Sequence, residues 1–258
     1  MEGKKITGVS VNDPKLTAPV NPAAFGKTLR GQVIATVSRR GKYLRFELEG
    51  GRTLVIHLRM TGRLSFLGPG KRGAPRSHLR LSLRFNGGSH LLLEDQRRFA
   101  QALVLTASQS ADFWDRLGPE PLERSFNASV LAGILDARKR PVKSLLLDQR
   151  LIAGIGNIYA DEALFGARIH PLRPAGSVST GEAARLASSI KETLRRAIEL
   201  KGSSIDTYRD AGGHKGSFQN AFRVHRRAGE PCPQCGGTVQ KIKVGGRGTY
   251  FCPACQKI

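Results

Sequence analysis

Acidic residues are scarce in this sequence. Asp and Glu number 20 against 42 Lys and Arg, for a formal net charge of +22 and a pI near 10.8. An enzyme for neutral small molecules has no use for that imbalance. A polyanion explains it, because each phosphate contact releases condensed counterions. A solubility surface or a ribosome-associated fold is the plainer alternative. The basic residues are spread along the chain and not gathered on one amphipathic helix, which argues against an anionic membrane surface. Long apolar runs are also missing. None approaches the ~20 residues that cross a bilayer, and MEGKKITGVSV at the start has no apolar stretch of the kind a secretory signal needs. The expectation is a cytoplasmic protein with no membrane partner.

Cysteine is the third scarcity. The four present are Cys232, Cys235, Cys252 and Cys255, all near the carboxyl end. That excludes a chain-wide disulfide scaffold. The spacing is C-x2-C, sixteen residues, C-x2-C. Two thiolates two residues apart fit one tight turn, and two such turns close a tetrahedral zinc site. With every position filled by protein, the expected ion is a single structural Zn2+. Two redox pairs or two disulfides are the competing readings. The surrounding tail, 221–258, carries seven basic residues against one acid, Glu230.

What is present falls into two regimes. The 258 residues are 40% hydrophobic, enough for one large domain or two ordinary ones. In the first part, Leu79, Leu81, Leu83 and Phe85 alternate with Arg80, Ser82 and Arg84, the period of a half-buried strand. Strands are also expected over 33–37, 43–48, 53–58 and 90–94. Turns at Glu49-Gly50-Gly51 and Asn86-Gly87-Gly88 suggest a β-sandwich or barrel. Residues 68–75, rich in Gly, Pro and basic residues, read as a loop. Beyond Gly118-Pro119-Glu120-Pro121 the period turns helical. Ser179 and Glu182 form a capping box, and Leu186, Ile190, Leu194 and Ala197 share one face of a helix over about 180–200, closed by Gly202. A helix starts near Asn157, preceded by a short one around 143–148. The glycine-rich stretch 210–219 reads as a loop. In LIAGIGNIY at 151–159, Gly154 and Gly156 lead into a helix start whose amides could meet a phosphate. On spacing alone an ordinary capped helix–turn–helix corner is the better reading.

At these residues a resemblance becomes plain. LLLDQRLIAGIGNIYADEALFGARIHP at 145–171 closely resembles the helix–two-turn–helix signature of the formamidopyrimidine-DNA glycosylase and endonuclease VIII family. GEPCPQCGG at 229–237 and GRGTYFCPACQK at 246–257 look like its zinc finger. RRGKYL at 39–44, HLRMTGRL at 57–64 and DQRRFA at 95–100 are similar to three motifs of its β-domain.

The resemblance implies an α+β multidomain chain. Residues 1–116 would be a β-sandwich lacking its leading elements, 117–222 a helix–two-turn–helix domain and 223–258 a zinc-finger β-hairpin. It implies a monomeric, nucleoid-associated bacterial base-excision repair enzyme. That enzyme would be a DNA glycosylase and AP lyase acting on 8-oxoguanine and formamidopyrimidines flipped out of duplex DNA. Carried over residue by residue, Lys42 contacts phosphates around the lesion, and Met60, Arg97 and Phe99 fill the space the lesion leaves. His57, Arg138, Lys143, Asn157 and Arg247 are DNA contacts, and Lys42 and Arg247 are candidates for the elimination step. Lys215 and Gly216 belong to the loop that closes over extruded 8-oxoguanine.

There are departures from the family pattern. The family opens Pro-Glu-Leu-Pro-Glu, its proline amine attacking C1′ and its glutamate acting as acid. Met1-Glu2-Gly3-Lys4-Lys5-Ile6 instead lines up after that leading strand and helix, so no residue inherits the nucleophile and Glu2 is not the catalytic glutamate. Gln96 replaces a usual proline, Ala100 a glycine, Arg76 a histidine and His225 a tyrosine. The expectation is a start placed too late, with the missing segment encoded upstream and the 258-residue chain inactive by the usual mechanism. The alternatives are a catalytically empty damaged-DNA-binding relative and a basic zinc-ribbon RNA binder.

Overall fold

The computed structural model describes residues 1–71, 77–204 and 214–258. The chain forms two compact units. The first holds Met1–Asp115; the second holds Arg116–Ser203 and Ser217–Ile258.

The first unit is a pair of four-stranded antiparallel sheets. Its elements are β1 (Ile6–Val11), α1 (Pro22–Leu29), β2 (Ile34–Arg40), β3 (Tyr43–Leu48), β4 (Thr53–His57), β5 (Gly62–Leu67), β6 (Leu79–Phe85), β7 (His90–Asp95), β8 (Gln101–Leu105) and α2 (Ala107–Asp115). One sheet runs β1-β6-β7-β5 and the other β2-β3-β4-β8. Their apolar faces form one core, to which Leu81, Leu83, Phe85, Leu91 and Leu93 contribute from the first sheet and Phe46, Leu54, Ile56 and Ala102 from the second. The two-residue alternation in β6 is what sends its leucines inward and its arginines out.

Five elements of this unit escape a reading of periodicity: β1, α1, β5, β8 and α2. Strand β1 is interrupted by Gly8. Helix α1 is set by its entry. The Asn21 side chain accepts the Ala24 amide at 2.8 Å and Pro22 stands in the first turn, a pairing that favours helix initiation. The Glu2 carboxylate accepts the amide of Val37 on edge strand β2 at 2.7 Å, an edge-capping position.

The second unit begins with three helices, α3 (Ala128–Leu135), α4 (Val142–Leu146) and α5 (Asn157–Ala167). Helix α6 (Thr180–Glu199) and the hairpin β9 (Gln240–Val244) and β10 (Arg247–Phe251) complete it. The capping box at Ser179 and Glu182 is formed in both directions. Leu186 and Ile190 of α6 join Leu131, Leu145, Leu146, Ile152 and Leu164 in a second core. Gln149 shapes the turns between α4 and α5. Its side chain accepts from the Gly154 amide at 2.8 Å and donates to the carbonyls of Leu147 and Ile155 at 3.0 and 3.2 Å. Gly118 lies so close to the Leu151 backbone that a Cβ there would fall 2.4 Å from its carbonyl. No helix among the described residues is long and apolar enough to cross a membrane.

Candidate metal centre and nucleic-acid contacts

The four cysteine sulfurs lie within 4.8 Å of one another. The knuckles bring them there. The Cys232 amide donates to the Gly237 carbonyl at 2.6 Å and the Gly236 amide to the Cys232 carbonyl at 2.9 Å. The Gln256 side chain accepts the Cys252 amide at 2.9 Å and donates to Ile169 O at 2.8 Å, fastening the second knuckle to the end of α5. Burial and the three neighbouring sulfurs push the Cys255 thiol up to about 12. Four thiolates packed this closely oppose one another's ionisation, so the donor set fits a divalent cation that relieves the repulsion. Sulfur-only, four-fold ligation is the chemistry of structural zinc, and the chain carries one such Zn2+ with no open position for water.

In the first unit the fold brings Met60, Arg97 and Phe99 together. The Arg97 guanidinium reaches Met60 Sδ at 3.4 Å and lies 4.9 Å from the centre of the Phe99 ring. Met60 is 70% exposed and Phe99 51%, so two large apolar groups face water on one patch, which marks an interaction surface more often than chance. The loops holding them are built for that display. The buried Asp95 carboxylate accepts the Phe99 and Ala100 amides at 2.7 Å each, the Arg97 amide at 3.2 Å, and the Thr61 hydroxyl. Arg98 adopts a left-handed backbone, φ 60°, which a non-glycine residue holds only at a cost. Its guanidinium makes two 2.7 Å bonds to buried Asp13. That partner holds the Asp13 carboxyl below the usual carboxylate range. Arg59, φ 54°, is tied likewise to Gln101 at 2.7 Å. Asp13 and Arg98 were invisible as supports in the sequence, because each acts through a partner 85 positions away, while Asp95 gathers amides from the turn that follows it.

Lys42 stands exposed at the β2–β3 turn. His57, at the end of β4, is half-buried with its ring 4.6 Å from Tyr43. Burial, then the Arg59 and Lys42 cations, hold its imidazole down at about 4. Its Nδ1 accepts the Arg59 amide at 2.9 Å, leaving Nε2 as the N–H of a neutral ring.

The second unit places Lys143 differently from the sequence expectation. Its side chain is completely buried, with Nζ 2.6 Å from Asp161 Oδ1, 2.7 Å from Thr249 Oγ1 and 3.3 Å from Gly248 O. Asp161 Oδ2 meets His225 Nδ1 at 2.7 Å. An enclosed, paired ammonium offers no surface to a phosphate, so Lys143 supports the hairpin from within. Burial pulls its pKa down while Asp161 pulls it up, and the net shift is downward. Asn157 also turns inward, its Nδ2 donating to Gly248 O at 2.9 Å. Lys143 and Asn157 thus converge on the residue next to Arg247, which stands exposed after the Gly245-Gly246 turn. Arg138 is exposed at the end of α3, its Nε donating to Ile134 O at 2.7 Å. Lys215 is exposed, but positions 210–213 of its loop, like Arg76, lie outside the described residues. His225, at the family's usual tyrosine position, is buried beside Tyr250 and Phe222.

A β-sandwich, a helix–two-turn–helix module and a four-cysteine finger in one chain define the zinc-finger, DNA-repair glycosylase class. Family models agree along the sequence. The formamidopyrimidine-DNA glycosylase N-terminal domain matches residues 1–102, the formamidopyrimidine-DNA glycosylase H2TH domain 117–209, and the zinc finger found in FPG and IleRS 229–258. The formamidopyrimidine-DNA glycosylase of Chloroflexus aurantiacus is 44% identical over 99% of this chain and 91% of that protein. That of Symbiobacterium thermophilum is also 44% identical, over 99% and 84%. The Lactococcus lactis Fpg in complex with abasic-site DNA superposes with a TM-score of 0.90 at 36% identity, covering 100% of this chain and 94% of that one. MutM in complex with carbocyclic 8-oxo-G DNA gives 0.90 at 35%, with the same coverage. The chain belongs to the formamidopyrimidine-DNA glycosylase family.

Proposed function

We propose that this protein serves base-excision repair as a DNA glycosylase and AP lyase directed at oxidised purines, 8-oxoguanine and formamidopyrimidines, in duplex DNA. The observation that carries the reading is the exposed Met60–Arg97–Phe99 cluster on loops that Asp95, Arg98 and Arg59 hold rigid. A flipped base leaves a gap in the stack. A flexible thioether and an aromatic ring fill such a gap, and a guanidinium can bond the orphaned partner base. Lys42, Arg138 and Arg247 supply exposed cations for phosphates, and Lys42 and Arg247 are the candidates to steady the phosphate that leaves on elimination. Neutral His57 would donate through Nε2. The first-turn amides of α5 would complete the grip, with Asn157 and Lys143 setting the hairpin. Lys215 would act at the extruded base. Nucleoid association in the cytoplasm accords with this role.

The test is discrimination. Phe99→Ala and Met60→Ala should each lower the preference for an 8-oxoguanine duplex over an undamaged one by roughly 5- to 30-fold, the worth of ~1–2 kcal/mol of stacking and packing. Affinity for intact duplex should change far less. Equal losses on both duplexes would reduce the two residues to packing roles.

Specific binding of damaged duplex without turnover would favour the damaged-DNA-binding alternative.

A further inference from the structure

The arginines of β6 have no part in the proposed lesion site, yet they stand on an organised surface. Strand pairing defines it. Ser10 opposes Ser82, Ser82 opposes Leu92, and Leu92 opposes Ser65, a row across the sheet β1-β6-β7-β5. Its side chains lie on the face away from the core, since Leu81, Leu83, Leu91 and Leu93 occupy the other. One step along the strands is the row Gly8, Arg84, His90. One step the other way, Arg63 opposes Glu94. Rows on one face are ~6.7 Å apart and strands ~4.8 Å, so Arg84 and Arg63 flank the hydroxyl row on opposite sides.

Three details separate this surface from an ordinary solvated face. First, Arg63 and Arg84 form no ion pair with a carboxylate among the described residues. Second, Ser65 is only 5% exposed and its hydroxyl has no hydrogen-bond partner, although a buried hydroxyl normally finds one. The Arg63 Nε is likewise enclosed without an acceptor. Third, Gly8 makes room for a guanidinium. A Cβ at that position would fall 2.9 Å from Arg84 Nη2, so the absence of a side chain lets Arg84 lie across β1. Donors without acceptors, arranged in rows on one face of the sheet, call for a ligand bearing repeated anionic oxygens.

We propose that this outer sheet face binds the phosphodiester backbone of a second stretch of duplex DNA, separate from the lesion-bearing one. The guanidinium groups of Arg63 and Arg84 would take two separate phosphates, with the Ser82 hydroxyl donating between them. The contact would be independent of base sequence and of damage, and it would let one molecule hold two duplexes or transfer between them. It uses none of the residues assigned to lesion recognition and does not rest on the glycosylase reading.

The test saturates the protein with an unlabelled 8-oxoguanine duplex and titrates a fluorescent undamaged duplex at low salt, following anisotropy and energy transfer between the two. The expected result is a second binding event, weaker than the first and steeply salt-dependent. In Arg63→Gln/Arg84→Gln that event should weaken at least tenfold and its salt slope should fall by about 2, with lesion-duplex binding unchanged. Thermal melting confirms that the variant is folded; should it not be, Arg84→Gln alone should weaken the second event several-fold. Absence of a second event in the unsubstituted protein would overturn the proposal. So would its persistence in the folded double variant, or capture of an RNA or acidic peptide in preference to the duplex.

Discussion

Cys252→Ser is expected to release the zinc and unfold the finger while leaving the helical core standing. The finger's own packing is too small to fold unaided. Its buried residues are Val224, Cys232, Val239 and Cys252, resting on Phe165 of α5. A core of that size supplies a few kcal/mol at most, whereas a structural zinc contributes on the order of 10 kcal/mol or more to small zinc modules. Losing one thiolate also frees the knuckle that Gln256 fastens to Ile169. The hairpin would then no longer present Arg247, and duplex affinity should fall by roughly a hundredfold, toward the upper end of the ~1.5–3 kcal/mol of one charge-assisted contact. The separate core around Leu146, Leu164 and Leu186 should preserve most of the helical circular dichroism. Metal analysis should give one zinc per chain for the unsubstituted protein and much less for the variant. Full zinc content in Cys252→Ser, or duplex affinity within a few-fold of the original, would contradict the model.

Asp161→Ala should be the most damaging single change outside the metal site. It leaves the Lys143 ammonium enclosed, with only Thr249 Oγ1 and Gly248 O for partners. Breaking a buried pair from one side costs about 3–5 kcal/mol. The sign of the pH dependence follows from Lys143. Its folded pKa already lies below the usual lysine value through burial, with Asp161 as the opposing influence. Removing Asp161 lowers it further, so over the range between the folded and unfolded values the unfolded state binds more protons. Stability of the variant should therefore rise with pH and recover toward pH ~10, where the unfolded lysine also deprotonates. Lys143→Met in the same chain should restore much of the loss at neutral pH, since an apolar replacement of both partners is tolerated. Urea denaturation across pH reads all three. A loss below about 1 kcal/mol, or a deficit that grows with pH, would show that Lys143 is not an enclosed cation.

His225 sharpens the point about this network. It occupies a position where the family usually has tyrosine, and it donates or accepts at Asp161 Oδ2 from inside an aromatic cluster with Phe222 and Tyr250. Glu162, the next residue on α5, is also buried. It accepts the Arg223, Val224 and His225 amides at 3.0, 3.0 and 2.9 Å. Two adjacent carboxylates of one helix thus anchor the segment that leads into the finger. In sequence they read only as a polar pair on a mixed helix, because nothing local says which strand or loop will supply their donors.

Local chemistry determined what was legible in advance. The zinc ligands follow from two C-x2-C turns, the long helix from Ser179, Glu182 and its apolar face, and β6 from strict alternation. Each of these signals is complete within a few residues. The resemblance in five motifs added the family and drew attention to Met60, Arg97 and Phe99, which the fold brings together. Tertiary structure decided the rest. It turned Lys143 from a surface cation into the centre of a buried pair. It directed Asn157 toward Gly248, gave Asp95 four donors from Thr61 through Ala100, and placed Asp13 under Arg98 across 85 positions of sequence. Asp95 draws three of those donors from within five residues, through the geometry of the turn itself. For Lys143, Asn157 and Asp13 the physical reason is the same. Whether a charged side chain meets water or another charge depends on what the fold packs against it, and that partner lies far away along the chain.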